Sequence, residues 1–288
     1  MKKLIINQNT AAIPWFESDF AGKILKDLKL NKKTTKDINF FIDNGYVVLK
    51  KVITKNQINK ILKDFNKIIN TDKFKKNPEY FHYNKSPRVV EGWKVSNNIK
   101  EVCFNKKIIN FLKILYHREP LPISTINFIR GTEQPLHSDY IHFGSIPELF
   151  LAGAWFALED VDENNGPLNI VPKSHKLNTV DFTDLNMNIP KTTKELKKNY
   201  TIYEEYLKKL VKIKKLKEKK IVIEKGDAII WAANLLHGGT KIKMKNTTRY
   251  SQVVHYHFKG LDKIYNPCFS SRMHGIHAIR EIKKIVIK

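Results

Sequence analysis

The chain has 288 residues, 42% of them hydrophobic, with 16 Phe and 11 Tyr, so it can bury a large core as one domain. No run of about 18 apolar residues occurs, which argues against a membrane span, and the apolar start Leu4-Ile5-Ile6 meets Asn7-Gln8 too early for a signal peptide. The net charge of +24 is nearly all lysine, with only 6 Arg; it fits an AT-rich coding bias as well as a binding surface, and no recognition helix, zinc finger or aromatic–basic motif supports a nucleic-acid partner.

Residues 1–33 read as a polar, irregular arm in which Ile13-Pro14-Trp15-Phe16 can pack back. Thr34-Thr35 is the expected cap of a short helix through Phe41-Ile42 that Gly45 breaks, and Tyr46 to Leu49 reads as a strand. Thr54 caps a second helix, in which Ile58, Ile61, Leu62, Phe65, Ile68 and Ile69 recur with helical period and form a core face. Residues 71–100 read as loop-rich, with His82, Arg88 and Trp93; residues 106–116 read as helix and Ser124 to Ile129 as strand. A loop containing Gly131 leads to His137-Ser138-Asp139. Leu149 to Leu158 is an almost wholly apolar strand, Asn164-Asn165-Gly166-Pro167 a turn, and Leu168 to Val171 a short strand.

Residues 191–220 are lysine-rich, with Tyr203, Leu207 and Leu210 at helical spacing. They read as an amphipathic helix inserted between barrel strands: either a solvated helix packed by one face, or a lid that guides an anionic substrate. Ile221-Val222-Ile223, a Lys225-Gly226-Asp227 turn and Ala228-Ile229-Ile230-Trp231 then lead to His237, after which Gly238-Gly239 lets the chain turn back. Tyr250 to Phe258 reads as a further strand, and residues 259–288 as a C-terminal extension. Cys103 and Cys268 cannot build a disulfide framework and fit free thiols in a reducing, cytoplasmic setting.

Three of these residues share one chemistry. Residues i and i+2 of a strand face the same way, so one short strand can aim His137 and Asp139 at a single ion. His237 supplies a third ligand from another strand. Two imidazoles and one carboxylate in this order suit a non-haem Fe(II) with open positions for a cosubstrate and O2. Arg249 opens the strand after His237, and its planar fork matches a carboxylate; Ser251 shares its parity. His255 and His257 share that parity too, and would be surplus as metal ligands. Arginine is scarce in this chain, which sharpens the reading of Arg249. Each piece alone is weak, since a buried histidine is usually a core residue and an arginine beside a strand usually a solvated charge. The ordered set predicts an iron- and 2-oxoglutarate-dependent oxygenase.

The chain also resembles the phytanoyl-CoA hydroxylase (dioxygenase) family from about residue 35 to residue 258. The resemblance rests on Asn44-Gly45-Tyr46-Val47-Val48-Leu49, Gln134-Pro135-Leu136-His137-Ser138-Asp139 and Trp155-Phe156-Ala157-Leu158-Glu159-Asp160. It continues through Asn165-Gly166-Pro167-Leu168, Val171-Pro172-Lys173-Ser174-His175-Lys176, Leu236-His237-Gly238 and Arg249-Tyr250-Ser251. It implies a double-stranded β-helix, a jelly roll with helices packed on one side. It implies that His137, Asp139 and His237 bind Fe(II), and that Arg249, helped by Ser251, holds the distal carboxylate of 2-oxoglutarate. Trp155 matches a tryptophan lining the cosubstrate pocket, ordinary core packing being the other reading, and His175 becomes structural. Two positions depart from the pattern: Lys173 stands where glycine is usual, and Asn169 where an aromatic is frequent.

The expected reaction is hydroxylation of a small organic substrate, coupled to decarboxylation of 2-oxoglutarate to succinate and CO2 and consuming O2. Arg88, Arg130, Tyr140 and His142 are substrate candidates because they lie near the metal segment in sequence, and an anionic substrate stays open. Residues 191–220 are expected to be separable from the metal site. A non-catalytic cupin-like binding protein would require a lost ligand; an oxidative nucleic-acid demethylase would require a base-stacking loop and a basic groove.

Overall fold

The computed structural model describes residues 12–72, 74, 81–82, 86–281 and 285–286, so the apolar start at Leu4 to Ile6 lies outside the described residues. The architecture is mainly β. Seven strands form the larger sheet, antiparallel throughout, in the order Tyr46–Leu49 (β1), Ala228–Ala232 (β9), Ala152–Ala157 (β6), Ser251–Phe258 (β11), Pro120–Phe128 (β4), Ser86–Val90 (β3) and Phe81–His82 (β2). His237–Gly239 (β10), Leu168–Ile170 (β7) and Lys219–Ile221 (β8) form a three-stranded sheet. Gly144–Ile146 (β5) pairs with Lys263–Tyr265 (β12).

Both faces of the larger sheet are covered, which is why β6, β9 and β11 are buried at every residue. Alternation on β11 separates two cores. Val254, Tyr256 and Phe258 join the helix side, with Phe41, Ile58, Ile61 and Leu112; Val253 joins Trp155, Ile229, Trp231, Ile170 and Ile221 between the sheets. The helices on the first face are Ala21–Asp27 (α1), Lys32–Asn44 (α2), Lys55–Ile69 (α3), Asn97–Val102 (α4) and Lys106–Tyr116 (α5). Helix α6, Thr193–Ile213, packs Tyr203, Leu207 and Val211 against Val171, Phe182 and Leu236 in a further cluster. Among the described residues no helix is long and apolar enough to cross a membrane.

Local chemistry sets the boundaries. Thr54 and Gln57 form a reciprocal capping box on α3, as its sequence signals. Helix α2 starts earlier than expected, because Asn31 rather than Thr34-Thr35 caps it: its side chain accepts the Thr34 N–H at 2.9 Å, while the Thr35 hydroxyl turns back to the Asn31 carbonyl at 3.0 Å. The described part of the N-terminal arm packs back onto the core. Trp15 and Phe16 form a 3-10 turn and are buried, Phe16 edge-on to Phe41 at 5.2 Å. Within the loop-rich stretch expected over residues 71–100, residues 86–102 form β3, a short turn and α4, whose Ser96 cap accepts the Ile99 N–H. Cys103 and Cys268 are buried free thiols.

Candidate active site

The backbone joins His137 to His237 before their side chains do. Each donates its N–H to the other's carbonyl at 2.9 Å, an isolated antiparallel bridge. The expected strand through both His137 and Asp139 is only this one bridge, since Asp139 opens a 3-10 turn, Asp139–Ile141. The convergence survives: nitrogen or oxygen atoms of His137, Asp139 and His237 all lie within 4.8 Å of one another, and all three residues are buried.

Backbone carbonyls orient both imidazoles. His137 Nδ1 lies 3.0 Å from the Pro135 oxygen and His237 Nδ1 2.9 Å from the Leu235 oxygen. Each carbonyl can only accept, so Nδ1 carries the proton and Nε2 keeps its lone pair for a metal. His237 Nε2 stands 3.7 Å from Asp139 Oδ1. Burial, reinforced by His237, pushes the His137 pKa down to about 3, so the ring is neutral at ordinary pH.

The other carboxylate oxygen is held separately. Asp139 Oδ2 accepts the Trp231 indole N–H at 2.6 Å and lies 3.4 Å from His255 Nε2, whose Nδ1 is 2.9 Å from Ser124 Oγ. Burial alone would raise the Asp139 pKa; His255 and His237 outweigh it and keep the carboxyl well below the usual range. Sequence parity points His255 inward, but its partner depends on register. Trp231 carries no sequence signal for this role.

Arg249 is 1% exposed and donates from Nη1 to the Gly166 carbonyl at 2.7 Å, so the Asn164 to Pro167 turn holds one arm of the fork. Its guanidinium carbon stands 5.3 Å from the Trp155 ring centroid. Burial pushes its pKa down to about 10, still fully charged near neutrality. Arg249 Nε, Ser251 Oγ and Trp155 Nε1 are buried with no hydrogen-bond partner. Unpaired buried polar groups are costly; Arg249 and Trp155 line a cavity where a carboxylate could engage them, whereas Ser251 is buried but does not line it. That cavity, of about 150 Å³, is lined by His137, Asp139, His237, Arg249 and Trp155 together. Two imidazoles and one carboxylate form a donor set suited to Fe(II), and the residues present therefore fit both groups.

The substrate candidates divide. Arg88 and His142 line the cavity, as do Gln134, Phe143, Ile126 and Val253. Arg130 is exposed and does not line it; Tyr140 is buried but turned away, its hydroxyl 2.9 Å from that of Tyr265. For Tyr140, nearness in sequence to the metal segment fails because the 3-10 turn Asp139–Ile141 sends successive side chains in different directions. His142 offers little polarity to a guest: Nε2 is 3.0 Å from the Tyr200 hydroxyl and Nδ1 3.7 Å from Cys268 Sγ. His175 is structural, its Nε2 3.0 Å from the Ile42 carbonyl. His257 is likewise tied to a carbonyl, that of Phe150.

The chain matches the phytanoyl-CoA dioxygenase (PhyH) family over residues 41–247. It is 22% identical over 255 residues to the peroxisomal phytanoyl-CoA dioxygenase of Homo sapiens, a match covering 82% of this chain and 71% of that one. Among solved structures it is similar to SnoK, a non-haem α-ketoglutarate-dependent carbocyclase from nogalamycin biosynthesis, with a TM-score of 0.64 at 15% identity over 90% of this chain and 98% of that one. The epimerase SnoN, solved with Fe3+, α-ketoglutarate and nogalamycin RO, gives 0.61 at 14% identity over 88% and 96%. EctD from S. alaskensis, solved with 2-oxoglutarate and 5-hydroxyectoine, gives 0.58 at 14% over 83% and 79%. These structural likenesses bear on the fold, and the fold is the expected double-stranded β-helix with flanking helices.

Proposed function

The chain belongs to the phytanoyl-CoA dioxygenase family and is an iron- and 2-oxoglutarate-dependent oxygenase, and from that premise we propose which of its residues do the work and on what kind of substrate. His137 Nε2, His237 Nε2 and one oxygen of Asp139 hold Fe(II). Arg249 grips the distal carboxylate of 2-oxoglutarate, with Ser251 Oγ as a second donor and Trp155 as the wall beside it. The observation that carries this reading is one cavity containing both the three clustered ligand atoms and a buried guanidinium with an unpartnered Nε.

Iron(II) with 2-oxoglutarate supplies the oxidising chemistry: O2 is consumed, 2-oxoglutarate is decarboxylated to succinate and CO2, and a C–H bond of the substrate becomes C–OH. The protein's own part is positional. The Pro135 and Leu235 carbonyls fix the imidazole tautomers. Trp231 and His255 tie down one carboxylate oxygen of Asp139, which leaves the other for the ion. The two sheets exclude bulk water from the reacting atoms.

The substrate is a small organic molecule. Phe143, Ile126 and Val253 present an apolar wall to its reacting carbon, and Arg88 is the cavity's cationic contact for an anionic group on it. Anaerobic addition of 2-oxoglutarate to the Fe(II)-loaded protein should produce a visible absorption band. Its absence from wild type would overturn the assignment. A screen for compounds that stimulate succinate formation identifies the substrate, and a preference for neutral compounds would remove Arg88 from its role.

A further inference from the structure

Helix α6 is the lysine-rich segment that the sequence sets apart from the chemistry. Its outer face is solvated: Lys194, Lys197, Lys198, Lys208, Lys209 and Lys212 are all exposed. Its inner face reaches the metal-ligand segment directly. Tyr203 is 1% exposed, and its hydroxyl accepts the Ser138 N–H at 3.4 Å and lies 3.1 Å from Ser138 Oγ. Ser138 is the residue between His137 and Asp139, where the chain leaves the one-residue bridge and enters the 3-10 turn. One turn earlier on the same face, the Tyr200 hydroxyl lies 3.0 Å from His142 Nε2, with the two rings stacked at 5.5 Å. Phe182 packs edge-on against both tyrosines.

These contacts have a mechanical reading. The His137–Asp139 segment is short: one backbone bridge ties His137 to β10, the Tyr140 N–H bonds the Ala233 carbonyl at 3.0 Å, and Trp231 holds the Asp139 carboxylate. A phenol engaging both the N–H and the hydroxyl of the intervening Ser138 adds a hold between the two ligand residues. The phenol sits in a buried cluster with Leu207, Val211 and Leu236 and so is itself immobile. Tyr200 acts on the following turn, fixing His142 and with it one wall of the cavity. Groups that support ligands in this way typically change metal affinity when removed.

We propose that helix α6 is a positioning element of the active site rather than a separable lid, acting through Tyr203 on Ser138 in the metal segment and through Tyr200 on His142 in the cavity wall. The inference rests on the assignment of His137, Asp139 and His237 as metal ligands. Tyr203 and Tyr200 touch neither the ion nor its guests; they act through the residues they hold.

The test measures Mn(II) affinity by calorimetry and the visible spectrum of the Co(II)-loaded protein. Wild type is compared with Tyr203→Phe, Ser138→Ala, the double variant and Tyr200→Phe. Melting temperature in EDTA is recorded for each, to separate folding from metal binding. Tyr203→Phe keeps the ring in its cluster and should melt close to wild type without metal, yet bind Mn(II) about 10-fold more weakly, with an altered Co(II) spectrum. The Ser138→Ala and Tyr203→Phe effects should not add, since both cut one link. Tyr200→Phe should leave Mn(II) affinity near wild type and change the pattern of compounds that stimulate succinate formation. Unchanged Mn(II) affinity and Co(II) spectrum in both Tyr203→Phe and Ser138→Ala would overturn the proposal. Failure of wild type itself to bind Mn(II) would instead retire the metal-site assignment beneath it.

Discussion

The indole N–H of Trp231 donates to Asp139 Oδ2 at 2.6 Å, while Oδ1 of the same carboxylate is the oxygen 3.7 Å from His237 Nε2. The two oxygens thus face different tasks, and the indole decides which is which. Trp231→Phe keeps an aromatic ring but deletes the donor. The carboxylate can then rotate, and Mn(II) affinity should fall about 10-fold. Calorimetry giving the wild-type constant would show that His255 alone suffices to hold Oδ2.

Trp231 in turn depends on Gly153. The two are directly opposed in the β6–β9 register, and a Cβ on Gly153 would lie 2.3 Å from Trp231 Cε2. The bare glycine lets the indole lie down over the neighbouring strand and carries its N–H to Asp139. Gly153→Ala should push the ring away, costing about 1–3 kcal/mol of stability from overpacking and weakening metal binding as Trp231→Phe does. Full retention of both in denaturant titration and calorimetry would refute the coupling.

Arg249 is a buried fork, with one arm already given to the Gly166 carbonyl. Arg249→Lys preserves the charge but loses the paired donors. The apparent KM for 2-oxoglutarate should rise at least about 10-fold, while Mn(II) affinity without cosubstrate stays unchanged. A mutant with wild-type KM would mean that the distal carboxylate is bound elsewhere.

Local signals in the chain disclosed much of this. The capping box at Thr54, the turn at Gly166 and the alternation of β11 are short-range, and each element stands where its residues indicate. The convergence of His137, Asp139 and His237 was legible because they form an ordered set, and the presence of Arg249 in their cavity because arginine is rare here. What stayed hidden is long-range pairing. Trp231 meets Asp139 only because β9 lies beside β6, and Tyr203 meets Ser138 across 65 positions. Tyr140 was misplaced for a related reason: its partner Tyr265 belongs to a C-terminal segment whose docking no local pattern announces.

His175 makes stability sensitive to acid. Its Nε2 donates to the Ile42 carbonyl, and its Nδ1 is buried without a partner against Gly45, which has a φ of +77°. Burial, followed by the charge of Lys176, lowers its pKa to about 4. The unfolded chain takes up this proton near pH 6.5, the folded one only near 4. The folded state therefore holds fewer protons across that window, and stability falls as pH drops through it. By pH 5 the loss from this one residue should be about 1–2 kcal/mol. Urea titrations in EDTA at pH 7.5 and 5.0 measure it. His175→Gln should shrink the difference by that amount, and an identical pH dependence in the variant would contradict the assignment.

Lys173 departs from the glycine that the family resemblance implies, and its backbone is one that favours glycine. Its φ is +71°, in the left-handed region that a side chain disfavours. The conformation is imposed from both sides. The Lys173 N–H donates to the Asn44 carbonyl at 3.1 Å, and its own carbonyl accepts the Lys176 N–H at 3.2 Å, opening the turn that carries His175. The lysine side chain is exposed, so removing it forfeits no packing. Lys173→Gly relieves the strain and loses some of that gain to the greater freedom of glycine in the unfolded chain. A net stabilisation of about 0.5–1 kcal/mol should remain, visible as roughly 1–3 °C in Tm. Metal affinity should not change, because Lys173 touches none of the ligands. A lower Tm for Lys173→Gly would mean that the lysine contributes through its charge or stem more than its backbone strain costs.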